Sequence, residues 1–196
     1  MRAVTALAIA VLLTGCGGHA SFTVPKGTAL HGKWRLGKDT VAITYAGPRE
    51  EGGGPYDRAG FAVWEHGHRA YVIPTPGVEA FGVHVGDVTG DGRLDVLLFL
   101  DTDGSGACGS WRVAAEVGGT WRKLFATGGC RDDYRVTLER RAVVVYHGVH
   151  KTRASGSYIH CCWNRWRRTE LRWRGGTLVT RRVTFVRKPP VGAYRD

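Results

Sequence analysis

The sequence predicts an all-β protein of roughly ten short antiparallel strands joined as hairpins, in a partial propeller, a sandwich or a barrel. Three observations carry that expectation. The 196 residues include 29 glycines against a single methionine, and the glycines punctuate runs rich in Val, Trp, Tyr and Thr, the residue types that suit a pleated strand. Several of these runs come in pairs around a tight glycine-bearing turn. No window of ten residues repeats apolar side chains at helical spacing. With 43% hydrophobic and 23% charged residues the composition is that of a globular chain and not a disordered one. The length suits one domain with its own core.

From the N-terminus, residues 1 to 15 read as an export signal. Met1-Arg2 is a short positive segment, and residues 3 to 13 form an apolar run too short to span a bilayer as a mature helix. The run ends in Leu13-Thr14-Gly15-Cys16. This tetrapeptide resembles the lipobox of bacterial lipoproteins. The resemblance implies acylation of Cys16 as the first mature residue and an anchor in the cell membrane, facing its extracytoplasmic side. Residues 16 to 32 then read as the lipidated cysteine and a flexible tether of small residues, and 33 to 196 as a single β domain. No later apolar stretch reaches 18 residues, the length a membrane helix needs.

Within the domain, "TVAITYA" (40 to 46) alternates apolar and polar residues as a half-buried strand does, and "EEGGGP" (50 to 55) is a glycine-rich loop. "FAVWEHGHRAYVI" (61 to 73) reads as two strands around Gly67. "SWRVAAEVGGTWRKLFA" (110 to 126) repeats the design around Gly118-Gly119, and "RTELRWRGGTLVTRRVTF" (168 to 185) around Gly175-Gly176. Gly-Gly permits the positive φ angles of tight hairpin turns. "YRVTLERRAVVVYHG" (134 to 148) is a further pair with its turn at 139 to 141, and "VLLFL" (96 to 100) has the continuous apolar character of a strand buried on both faces.

The segment before that strand, "GDVTGDGRLD", holds the most specific candidate site. Asp87, Thr89 and Asp91 occupy loop positions 1, 3 and 5, Gly92 stands at the bend, the Arg93 carbonyl takes position 7 and Asp95 position 9. Calcium requires six to eight oxygen ligands, and such spacing offers them from one short loop. Position 12 is Leu98 and the flanks are strands, so an EF-hand is excluded. The string Asp-x-Thr-Gly-Asp-Gly-x-x-Asp-Val resembles the calcium loops of FG-GAP and VCBS repeats, the propeller blades of integrin-like and bacterial surface proteins. The resemblance implies a structural calcium held between two strands by Asp87, Thr89, Asp91, the Arg93 carbonyl and Asp95, with an affinity of about 10⁻⁴ to 10⁻³ M typical of extracellular modules. A second acidic turn is expected at 101 to 104.

Four cysteines remain beyond Cys16: Cys108, Cys130, Cys161 and Cys162. In an exported chain an even number favours disulfides over thiol chemistry or zinc. Adjacent cysteines seldom bond each other, so Cys161 and Cys162 are expected to pair one with Cys108 and one with Cys130. The segment "HCCWNRWRRTELRWRGGTLV" also resembles the Cys-Cys region of small secreted actinobacterial proteins, with Trp163-Asn164 where those carry Pro-Ser.

Charge is concentrated in the C-terminal third. Residues 131 to 196 hold 16 Lys or Arg and 5 Asp or Glu, which accounts for the entire formal net charge of +11. Strand alternation sets Arg172 and Arg174 on one face and Leu171 and Trp173 on the other, while Arg165 and Arg167 interleave with Trp163 and Trp166. A basic face in the envelope is suited to an anionic wall polymer, anionic headgroups or an acidic protein partner; nucleic acid belongs to another compartment. The sequence contains no nucleophile elbow, zinc-protease motif or phosphate loop. The function expected is a non-catalytic, lipid-anchored envelope protein. The alternative is an envelope hydrolase acting on a wall polymer, which needs a carboxylate pair about 5 to 10 Å apart across a cleft.

Overall fold

A computed structural model describes residues 21–49, 55–75, 77–78, 80–103, 108–130, 134–149, 151–152, 158–159 and 165–189. The expected signal segment, Cys16, Cys161 and Cys162 lie outside the described residues. Among those described there is no helix, and the protein is all-β.

Twelve strands form three four-stranded antiparallel sheets, each a simple meander. The first contains β1 (Ala29–Arg35), β2 (Thr40–Ala46), β3 (Ala59–Glu65) and β4 (His68–Pro74). The second contains β5 (Ala80–Gly86), β6 (Asp95–Asp103), β7 (Cys108–Val117) and β8 (Thr120–Cys130). The third contains β9 (Tyr134–Glu139), β10 (Ala142–Gly148), β13 (Trp166–Arg174) and β14 (Thr177–Val186), in the order β14-β13-β10-β9. Between β10 and β13 a two-residue pair, β11 (Lys151–Thr152) and β12 (Tyr158–Ile159), forms its own ladder. Four-stranded meanders following one another along the chain are propeller-like. They do not close into a barrel, so that option of the sequence reading falls away.

The strand pairs expected from the sequence are hairpins. Gly118 and Gly119 have φ of 63° and 78°, and Gly175 and Gly176 have 57° and 89°, values that β-carbon crowding disfavours in other residues. They join β7 to β8 and β13 to β14 through two-residue turns whose twist suits the paired strands.

Side-chain alternation then stacks the sheets. Ala42, Phe61, Val63 and Ile73 of the first sheet meet Val96, Leu98, Leu100 and Ala114 of the second. On the opposite face of the second sheet, Leu97, Phe99, Trp111 and Val113 meet Val136, Val143 and Val145 of the third. Strand β6 is thus covered on both sides, and residues 96 to 100 are at most 3% exposed. That is the physical reason for the unbroken apolar run. Aromatic rings bridge the second interface: Phe99 and Trp111 lie 4.7 Å apart, and Trp111 and Tyr134 5.7 Å.

Three sequence expectations change. The ordered chain begins before residue 33: β1 opens at Ala29, and Phe22 and Val24 pack on Val41, Ile43 and Tyr45 at the outer face of the first sheet. The tether read over 16 to 32 is shorter by at least those residues, because alternate apolar side chains in it have a sheet face to cover. Residues 101 to 103 continue β6 instead of opening a second acidic turn, and Asp101 is buried. Finally, Cys108 bonds to Cys130. The two are register partners at the ends of β7 and β8, so hairpin pairing brings them together without help from Cys161 or Cys162.

The two-sided burial of β6 leads to a stability prediction. Leu98→Ala should cost roughly 2–5 kcal/mol, whereas Val183→Ala, on a half-exposed edge position, should cost less than about 0.5 kcal/mol. Urea unfolding of both variants measures this; equal losses would contradict the central placement of β6.

Candidate functional site

The aspartate loop connects β5 to β6. Its base is tied into the core. Val88 is 1% exposed and packs with Leu97, Phe99 and Trp111. Gly90 and Gly92 bend the loop, with φ of 79° and 85°. The Arg141 side chain, at the tip of the β9–β10 hairpin, passes beside Gly90, where a β-carbon would stand 3.6 Å from its Cδ.

Each of the three carboxylates accepts hydrogen bonds from the loop's own backbone. Gly90 N–H donates to Asp87 Oδ1 at 2.6 Å and Gly92 N–H to Asp87 Oδ2 at 3.3 Å. Arg93 N–H donates to Asp91 Oδ1 at 2.9 Å. Asp95, 1% exposed, accepts at Oδ2 from Val88 N–H (2.8 Å), Thr89 N–H (2.9 Å) and the Thr89 hydroxyl (3.2 Å). These are the local bonds by which Asp organises turns. The Arg93 guanidinium pairs with Glu116 of β7. The donor chemistry of the loop is that of a hard cation, all oxygen. As placed, however, the carboxylates serve the backbone, and no group of three or more His, Cys, Asp or Glu side chains among the described residues converges as a ligand set. These hydrogen bonds, the packing of Val88 and the Arg93–Glu116 pair shape the loop.

Burial pushes the Asp95 carboxyl up to about 6 from an ordinary value of 3.8, outweighing the hydrogen bonds from Thr89 and Val88, which favour its ionised form. The folded state thus binds this proton more tightly than the unfolded chain does.

No protein-family model, curated protein or solved structure matches this chain.

The arginine-rich sheet separates into two groups that the sequence does not distinguish. One group surrounds carboxylates. Glu170, 8% exposed, accepts from Arg172 Nε at 2.7 Å, from Arg181 at 3.2 Å and from Arg168 at 3.4 Å. These bonds, that from Arg172 foremost, hold its carboxyl below the ordinary range. Arg168 also reaches Glu139 at 2.5 Å, and Glu139 accepts from the Tyr146 hydroxyl at 2.9 Å. A bulge helps to build this cluster. Glu170 is opposite Arg182 and Leu171 opposite Thr180, so Arg181 has no register partner on β13.

The second group has no ion pair among the described residues: Arg165, Arg167, Arg174, Arg182 and Arg187. Arg165 stacks on Phe185 at 3.9 Å, and Arg167 is the register partner of Phe185. Arg165, Phe185, Val186 and Arg187 line a shallow cleft. Of the four arginines expected to make a binding face, Arg165, Arg167 and Arg174 are exposed and unpaired. Arg172 pairs with Glu170, which strand alternation places two residues along the same face. Trp166 is core, 5% exposed, with Arg135 over its ring. Arg182 and Arg187 join Arg165, Arg167 and Arg174 as exposed arginines, within the basic residues at 181, 182, 187 and 188.

The raised Asp95 value fixes the sign of a pH effect. A group whose folded pKa exceeds its unfolded one adds stability at low pH, and that contribution is lost as pH rises through about 6. At about 1.4 kcal/mol per pK unit, wild type should gain up to about 3 kcal/mol relative to Asp95→Asn between pH 7 and pH 4 without calcium. Urea midpoints of both proteins across that range check it; a constant difference would show that Asp95 has an ordinary pKa.

Proposed function

We propose that this chain is a non-catalytic, lipid-anchored protein of the extracytoplasmic cell envelope that binds an anionic envelope polymer or protein partner through the arginines of its third sheet. The observation that carries the reading is the division among those arginines. Arg168, Arg172 and Arg181 neutralise two glutamates, whereas Arg165, Arg167, Arg174, Arg182 and Arg187 leave exposed positive charge on one hairpin and its flanks. Solubility alone is served by mixed charges; a one-signed surface attracts a counter-ion partner. Glu139 and Glu170, the carboxylates drawn together on this sheet, are both occupied by arginines, which supports binding over hydrolysis. The Leu13 to Cys16 tetrapeptide supports the anchor. The reading includes calcium in the 87 to 95 loop, supported by its oxygen-only chemistry, its position spacing and its place between two strands. Its role there would be structural, drawing together carboxylates that otherwise serve the loop backbone.

Two measurements test these parts separately. Binding of poly(glycerol phosphate) to the full chain in non-ionic detergent should weaken at least tenfold between about 50 and 500 mM salt. It should weaken again in Arg165→Ser/Arg167→Ser, while Arg172→Ser chiefly lowers stability. Salt-independent binding, or none, removes the polymer reading. For the loop, millimolar calcium should raise the melting temperature of wild type at pH 7 and leave Asp91→Asn unchanged; the same response in both proteins removes calcium from the account.

A further inference from the structure

Strand β14 ends its sheet, and among the described residues no strand pairs with its outer edge. It is ten residues long and exposed along most of its length. Five large hydrophobic residues are exposed among the described residues, and three of them are on this strand: Val179 (38%), Val183 (50%) and Phe185 (51%). Edge strands expose unpaired backbone N–H and C=O groups and are usually kept short, interrupted by proline or bent by a bulge. β14 has no proline, and its bulge at Arg181 lies before the stretch from Arg182 to Val186. That stretch is regularly paired with β13 on its inner side, and no described strand pairs with its other side.

Arginines predominate around it, with one carboxylate, Glu170, opposite Arg182 in register. Arg165 stacks on Phe185, Arg167 is opposite it in register, and Arg182 and Arg187 bracket the stretch. None of the four is in an ion pair among the described residues. Arg181, by contrast, is spent on Glu170.

We propose that this edge of β14 receives an extended acidic segment of a partner protein as an added strand. Three complementary features specify that partner. The open edge supplies backbone hydrogen bonds to an extended chain. Val183 and Phe185 require apolar side chains on alternate positions of the segment. Arg165 and Arg167, on the same face as Val183 and Phe185, require a carboxylate beside the apolar side chains of the segment, and Arg182, on the opposite face, requires carboxylates on the other side of it. A second copy of this chain does not meet the last requirement, because pairing β14 with itself sets arginine against arginine. A polymer without a peptide backbone meets only the charge requirement. The inference rests on the reading that the third sheet is the binding surface, and it names the partner class.

The test uses the full chain in non-ionic detergent and a fluorescein-labelled decapeptide with Glu at every odd position and Val and Glu in turn at the even ones, so that one face carries both residue types and the other only Glu, followed by anisotropy. Two controls accompany it: the same peptide with Lys for Glu, and one of equal charge with Pro for alternate Val. The Glu–Val peptide should bind at least tenfold more tightly than either. In Arg182→Glu/Arg187→Glu, the preference should shift toward the Lys peptide, a gain that a misfolded variant does not produce. Equal binding of the Glu–Val and Pro peptides would overturn the proposal in favour of a flexible polyanion and leave the function proposed above standing. Failure of both peptides while poly(glycerol phosphate) binds has the same meaning. Self-association of the chain abolished by Val183→Lys would overturn the proposal in favour of a second copy. Failure of peptides and polymer alike would remove both readings.

Discussion

The structure depends on one constraint: the second sheet is covered on both faces. Strand β6 contributes alternate side chains to two cores, Val96, Leu98 and Leu100 to one and Leu97 and Phe99 to the other. A strand in that position has no solvent face on which to place a polar residue, so its sequence loses the usual alternation. Removal of this strand would leave the first and third sheets with no surface between them to pack against.

The same constraint shapes the aspartate loop. Asp95 is the first residue of β6 and shares its burial. A carboxylate there is stripped of water, and the three donors from Val88 and Thr89 replace part of what it lost. The loop is therefore tied to the core at one end through Asp95 and at the other through Val88, while Asp87 and Asp91 organise its exposed bend. This division gives the three aspartates different characters despite their regular spacing. Two are turn-forming side chains at the surface; one is a buried ionisable group whose proton affinity reports the dielectric of the core.

At the opposite end of the stack the third sheet meets a different requirement. Its inner face is apolar and packs on the second sheet, but its edge strand carries arginines and exposed hydrophobic residues together. Among the described residues, charge repulsion among so many arginines is relieved where Glu139 and Glu170 sit. Two of the remaining arginines, Arg165 and Arg167, are beside Phe185. Neighbouring arginines on the same hairpin thus differ by whether a carboxylate falls within reach.

The sequence by itself determined the local elements. Period-two alternation and paired turn glycines specify hairpins such as β7–β8 and β13–β14, and the apolar run 96 to 100 specifies a strand buried on both faces, because these signals act over a few residues. Features built from contacts distant along the chain were decided only by the tertiary structure. The grouping of twelve strands into three stacked sheets depends on which faces meet. The bond between Cys108 and Cys130 depends on hairpin register across 22 residues. The loss of Arg172 to Glu170 belongs to a cluster shaped by a bulge that also delivers Arg181. The burial of Asp95 depends on the packing of the third sheet over the second. In each case side-chain type and spacing announced a candidate, and the packing of other strands settled its role.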